Sequence, residues 1–245
     1  MVLAAGRGTR MRPLTDRMAK AMVPVAGRPL IDHALDRVAA AGIARAVVNL
    51  HAHADGLEAH LKTRRAAPEL VFSDERAALL DTGGGVLAAL PLLGPAPFVT
   101  LNGDAIWAGP EPVASLLATW AKAPPSAEAL LMLVPRERAH GYSRPGDFFL
   151  DASTAPVGVP TRRGSAETAP FVYTGLQVMR PTAFAGIAEA EATGAQRPAF
   201  SLNPVWDALA ARGALAATVW GGDWVDVGML AGIAVAEAVL AAHHG

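Results

Sequence analysis

The sequence has no cysteine, which excludes disulfides and thiolate metal ligands. Lysine is nearly missing as well: Lys20, Lys62 and Lys122 stand against eighteen arginines. Such an imbalance is what codon bias in a GC-rich genome would produce, and it makes each surviving lysine worth tracing. No apolar run approaches the length of about eighteen residues that marks a membrane span. The first such run, Val2 to Ala5, leads into charge rather than a cleavage site, so a cytoplasmic protein is expected. Neither sign of charge dominates: the net charge of −1 excludes the broad basic field of a nucleic-acid binder and the polybasic stretch of a membrane-surface protein. A charged ligand must therefore be met by a local cluster. What the 245 residues do have is 52% hydrophobic content, enough for a substantial core.

Hydrophobic periodicity predicts strands at Val2–Ala4, Ala46–Leu50, Leu70–Ser73, Phe98–Leu101 and Ala129–Val134. Helices are predicted between them at Leu30–Ala41, Ala54–Arg64, Gly85–Leu93 and Pro112–Lys122, the first stopped by Gly42. Such alternation with short loops predicts a mainly parallel sheet covered by helices on both faces, a Rossmann-like three-layer α/β sandwich. In the second half Asp147–Asp151 and Phe171–Met179 predict strands of a mixed or antiparallel section. Asn203–Arg212 predicts a helix, Thr218–Val227 a strand, and Leu230–His243 the closing helix. With no internal repeat and no long linker, a single domain over residues 1–245 is expected.

Charge gathers in the stretch "VLAAGRGTRMRPLTDRMAK" of Val2–Lys20. Gly6 and Gly8 remove the Cβ atoms that would keep main-chain N–H groups away from a phosphate. Arg7, Arg10, Arg12 and Arg17 add guanidinium forks suited to phosphate oxygens. The spacing fits neither the dinucleotide fingerprint nor the P-loop. Lys20 lies twelve positions beyond Gly8, so the lysine has to fold back across the site.

The complete string resembles the sugar-1-phosphate nucleotidylyltransferases, whose signature runs L-A-A-G-x-G-T-R-M-x-P-L-T, then K-P, then P-V-x-G-x-P-L. Here it reads Leu3-Ala4-Ala5-Gly6-Arg7-Gly8-Thr9-Arg10-Met11-Arg12-Pro13-Leu14-Thr15, Lys20, and Pro24-Val25-Ala26-Gly27-Arg28-Pro29-Leu30; Ala21 replaces the usual proline. The resemblance implies a GT-A-like nucleotidyltransferase fold with a mostly parallel mixed sheet. Residues 1–125 would form the nucleotide-binding half and 126–245 the sugar-binding half. It implies a Mg²⁺-dependent transfer of a nucleotidyl group from an NTP to a sugar 1-phosphate, with loss of pyrophosphate. Leu3, Ala4, Ala5 and Gly6 would line the base and ribose, and Gly8, Thr9 and Arg10 would hold phosphates. Lys20 would meet the α-phosphate under attack, making Lys20, Arg10 and Asp104 the catalytic set.

Further stations follow from the same resemblance. Asn102-Gly103-Asp104 closes a buried strand, where open α/β sheets bind ligands; by residue type alone it is turn chemistry. Trp224-Val225-Asp226-Val227-Gly228 resembles W-x-D-x-G, with Met229 in place of a common threonine, so Asp104 and Asp226 would be the metal ligands. Thr82 and Gly83 of Asp81-Thr82-Gly83-Gly84-Gly85 would face the nucleotide, and Asn102, Asp147 and Thr174 the sugar. The E-K-P lysine of many relatives is missing near Glu167-Thr168-Ala169-Pro170. His51, His53 and His60 lack a zinc pattern and read as loop or surface residues. Trp220 and Trp224 read as core anchors.

No β-helix follows the last helix, which sets aside the acetyltransferase-fused uridylyltransferases. The combination of D-T-G-G-G, R-P-G-D-F, the missing lysine and W-V-D-V-G is most similar to the short N-acetylmuramate-1-phosphate uridylyltransferases of cell-wall recycling, which use UTP. Mannose-1-phosphate guanylyltransferases are the alternative, with phosphocholine cytidylyltransferases sharing the fold. A non-catalytic nucleotide-sugar sensor would lack Arg10, Lys20, Asp104 or Asp226. A glycosyltransferase would carry a D-x-D motif, which Asp223-Trp224-Val225-Asp226 is not. A monomer or small homo-oligomer is expected, without nucleic-acid or membrane partners.

Overall fold

The computed structural model describes residues 1–151, 153, 155–187 and 199–244. The chain runs through β1 (Val2–Leu3), a hairpin of β2 (Pro24–Val25) and β3 (Arg28–Pro29), α1 (Leu30–Ala40), β4 (Arg45–Leu50), α2 (Ala54–Thr63), β5 (Glu69–Asp74), α3 (Asp81–Leu93), β6 (Phe98–Asn102), β7 (Ala105–Ala108), α4 (Pro112–Trp120) and β8 (Ala129–Pro135). It continues through β9 (Ala139–His140), β10 (Phe148–Asp151), β11 (Val159–Arg162), β12 (Phe171–Met179), α5 (Asn203–Ala211), β13 (Leu215–Val219), β14 (Asp223–Asp226) and α6 (Ala231–His244). Among the described residues no helix is long and apolar enough to cross a membrane.

The main sheet has the order β11-β10-β12-β6-β1-β4-β5, with β8 beside β12 and β13 beside β8. Its first-half strands are parallel: β1 lies between β4 and β6, and β4 pairs with β5. The direction reverses where β12 pairs antiparallel with β6. Burial on both faces explains why the parallel strands read as continuous apolar runs. On β4, Val47 packs into the core beneath α3 and α5, while its neighbour Val48 packs beneath α1 and α2. The core facing α1 takes Ile31, Ala34, Leu35 and Val38, one stripe at helical spacing. The result is the expected three-layer α/β sandwich with a mixed sheet.

Two expectations are corrected. The helix read as Gly85–Leu93 begins at Asp81, so the three glycines lie inside its first turns. At two of them the reason is steric: a Cβ on Gly83 would lie 2.4 Å from the Phe200 ring and 2.7 Å from the Ser201 carbonyl oxygen, and one on Gly85 2.8 Å from Glu75 Oε1. The Gly83 and Gly84 N–H groups also donate to the Phe200 carbonyl. The strand read as Thr218–Val227 divides in two. β13 stays in the main sheet, and after Gly221-Gly222 the chain enters β14, which pairs antiparallel with β7 and parallel with β9. A Cβ on Gly222 would lie 2.3 Å from the buried Trp220 ring, so glycine permits that corner.

Leu101 on β6 is fully buried between β1 and β12. Leu101→Ala should lower the unfolding free energy by about 2–5 kcal/mol, seen as a lower urea midpoint at unchanged slope. A loss near zero would contradict its place in the centre of the sheet.

Candidate active site

The glycine loop after β1 folds into three single-turn helices, Thr9–Met11, Leu14–Asp16 and Lys20–Met22. Gly8 makes the fold-back feasible. Its φ is +62°, and a Cβ there would lie 2.9 Å from Lys20 Cβ and 2.8 Å from the Thr15 methyl. The Thr15 hydroxyl donates to the Gly8 carbonyl at 2.8 Å, locking the turn. Lys20, its side chain 11% exposed, thus reaches Asp104, and Nζ donates to Asp104 Oδ2 at 2.5 Å.

Asp226 joins this pair through strand pairing. β14 runs beside β7 with Asp226 opposite Ala105, and the Val227 N–H donates to the Asp104 carbonyl at 3.1 Å. Burial first, and then the Asp104 carboxylate, hold the Asp226 carboxyl above its ordinary value; Lys20, Arg10 and Arg144 oppose that rise. Gly228 leaves room for the arrangement, since a Cβ there would lie 2.8 Å from Asp226 Oδ1 and 3.1 Å from Arg10 Nη2. Two carboxylates with few other protein ligands suit Mg²⁺, which keeps waters and takes substrate phosphate oxygens. The donor set therefore fits the implied ion.

Two cavities, each of about 490 Å³, meet at this centre and share Thr82, Asn102 and Asp104 as walls. The first is walled by the loop residues Leu3, Ala4, Ala5 and Gly6 together with Lys20 and Asn49. The second includes Arg10, Arg144, Asp147, Arg163, Trp206 and Asp226. Behind the first wall, the Ala4 N–H donates to Asn49 Oδ1 at 2.7 Å, and Asn49 Nδ2 donates to Glu75 Oε1 at 2.8 Å. Both side chains are 2% exposed, so a buried polar chain fixes the loop from behind.

The match to a family model described as nucleotidyl transferase covers residues 1–144. The chain is 44% identical to the N-acetylmuramate alpha-1-phosphate uridylyltransferase of Caulobacter vibrioides, over 98% of this chain and 96% of that one. It belongs to the nucleotidyl transferase family. A protein of the same name from Neisseria meningitidis serogroup B is 34% identical over 99% of this chain and 98% of its own. The solved UDP-glucose pyrophosphorylase complexed with UDP-glucose superposes with a TM-score of 0.77 at 16% identity, covering 98% and 97% of the two chains, a likeness of fold.

In this nucleotidyl transferase the structure brings Leu3, Ala4, Ala5, Gly6, Lys20, Thr82, Asn102 and Asp104 to one cavity and Arg10, Asp147 and Asp226 to the adjoining one. Thr9 lies exposed at the start of the first loop turn. Two expected contacts are not made. Gly83 is buried with its N–H committed to Phe200, so it does not face the nucleotide side. Thr174 is fully buried and its hydroxyl donates to the Met132 carbonyl; the neighbouring Tyr173 faces the second cavity instead. Asp147 lines that cavity, yet its oxygens already accept from the Tyr142 hydroxyl and the Tyr173 N–H. Trp220 and Trp224 are buried, as expected of core anchors. The sequence reading missed Asn49 and Glu75; Asn49 stood out as the single polar residue in Ala46–Leu50.

Gly8→Ala should push Lys20 out of place and lower kcat by about a hundredfold while the protein stays folded by circular dichroism; unchanged kcat would refute the steric account. Burial also raises the Glu75 carboxyl above its ordinary value. Folding then favours the protonated form: the cost of ionising is absent below the unfolded pKa of about 4.3 and complete above the raised native one. Glu75→Gln should therefore melt higher than the parent at pH 8 and lose that advantage near pH 4. A lower melting temperature at pH 8 would contradict this.

Proposed function

We propose that this nucleotidyl transferase moves a uridylyl group from UTP to N-acetylmuramate 1-phosphate in the cytoplasm, serving the recycling of cell-wall sugars. The observation that carries the reading is the placement of Lys20 on the wall of one cavity and Asp226 on the wall of the other, on either side of Asp104, which lines both. The names of the two full-length relatives support the choice of base and sugar. Residues 1–125 supply the loop, Lys20 and Asp104 for the nucleotide, and residues 126–245 supply Arg144, Asp147 and Asp226 for the acceptor.

The reaction joins two polyanions. An acceptor oxygen forms a bond to the α-phosphorus of UTP, and the bond from that phosphorus to the bridging oxygen breaks, releasing pyrophosphate. A phosphate monoester has a second pKa of about 6, so the nucleophile is largely ionised at neutral pH and needs no strong base. What remains is in-line positioning and neutralisation of charge. Lys20 meets the α-phosphoryl oxygens, Arg10 flanks Asp226 and the phosphates, and the loop glycines let main-chain N–H groups approach. Magnesium, held by Asp104 and Asp226, supplies further neutralisation of phosphate charge when bound.

Pyrophosphate release should be measured for UTP, CTP, GTP, ATP and dTTP against a panel of sugar 1-phosphates. UTP with N-acetylmuramate 1-phosphate should give the highest kcat/KM; a higher value for GTP with mannose 1-phosphate would favour the guanylyltransferase alternative. Lys20→Ala should lower kcat by about 10²–10³-fold with a much smaller change in UTP affinity. Asp104→Asn and Asp226→Asn should each abolish Mg²⁺-dependent turnover. Near-full turnover in Lys20→Ala would overturn the assignment of that residue.

A further inference from the structure

The acceptor-side cavity carries more positive charge than its own acids use. Arg10, Arg144, Arg162 and Arg163 line it beside Asp104, Asp147 and Asp226. Asp104 is paired with Lys20, and both Asp147 oxygens are occupied by Tyr142 and Tyr173. The cations felt at Asp226 are Lys20, Arg10 and Arg144. Arg162 lies 3.5 Å from Asp207 and donates to Asn203 Oδ1 at 2.8 Å.

Arg163 is held differently. It is half-buried at the cavity wall, where Nε donates to the Gly146 carbonyl at 3.2 Å and Nη1 to the Ala166 carbonyl at 2.7 Å. The loop that holds it is itself fixed: Gly146 has φ +93°, and a Cβ there would lie 2.0 Å from the Ala169 carbonyl oxygen. Among the described residues no carboxylate lies within ion-pair distance of Arg163. Neutral carbonyls orient a guanidinium without cancelling its charge, and a half-buried cation without an acid partner is costly. Nη2 remains unused, and an arginine edge suits a carboxylate. The phosphate of the acceptor belongs near Lys20, Asp104 and Asp226, which leaves Arg163 for a second anionic group.

Resting on the proposed acceptor, we propose that Arg163 binds the carboxylate of an acidic sugar phosphate and so sets the preference for N-acetylmuramate 1-phosphate over the neutral N-acetylglucosamine 1-phosphate. Oriented by two backbone carbonyls, it recognises the acid without adjusting its own geometry, so little ordering cost attends binding.

The test is kcat/KM for both sugar phosphates with saturating UTP, in the parent enzyme and in Arg163→Gln, with circular dichroism to verify folding. The acid-to-neutral ratio should fall by about tenfold or more in the variant, the scale of a lost hydrogen bond to a charged group. Arg163→Met, which keeps the stem and drops the charge, answers the same question if the glutamine variant does not fold. A merely structural role would lower both sugars alike and leave the ratio unchanged, which would overturn the inference. If the parent prefers the acid and the variants keep that preference, this inference alone fails. If the parent shows no preference for the acid, the proposed function fails with it.

Discussion

The ion pair between Lys20 and Asp104 is the contact on which the rest of the site depends. It ties the glycine loop after β1 to the carboxyl end of β6, so that loop and the acidic centre are held together. The pair is partly exposed and contributes little to stability as such; its value is positional. Around it the site accepts a conflict. Asp226 is partly buried and feels the charge of the Asp104 carboxylate, an arrangement that raises its proton affinity and costs stability. Lys20, Arg10 and Arg144 offset that cost.

The two cavities give this electrostatic centre a direction. The first is walled by loop backbone, with Asn49 and Glu75 behind it, and presents Lys20 at its inner end. The second is walled by arginines and by Trp206, whose indole N–H is satisfied by Gln177 Oε1 at 2.9 Å. Their common wall, Thr82, Asn102 and Asp104, is where the reacting groups of two substrates can approach. The reversal of strand direction at β6 and β12 creates this division, because it places antiparallel strands of the second half beside the carboxyl ends of the parallel ones.

Much of this was legible in the sequence because local chemistry dictated it. The apolar runs of β4 and β6, the stripe on α1 and the glycine loop all act over short range. The errors arose where distant residues decide. Gly83 read as facing the nucleotide, ahead of a helix that starts at Gly85, but Phe200 and Ser201, far away in the chain, occupy the space a side chain there would need. Thr174 was off by a single residue of strand parity: Tyr173 turns to the cavity, and Thr174 to the core. The meeting of Asp104 with Asp226 depends on β14 leaving the main sheet to pair with β7, which no spacing reveals. Asn49 and Glu75 announced themselves only as polarity beside an apolar strand, and their connection is visible only in three dimensions.

The central claim is that one amine and two acids act together as a receptor for a metal-bound triphosphate. Calorimetric titration of UTP with and without Mg²⁺, in the parent protein and in Asp104→Asn and Asp226→Asn, tests it most directly. The account predicts that Mg²⁺ tightens UTP binding by about tenfold or more in the parent and that either substitution removes most of that coupling. Coupling that survives both substitutions at full strength would contradict it.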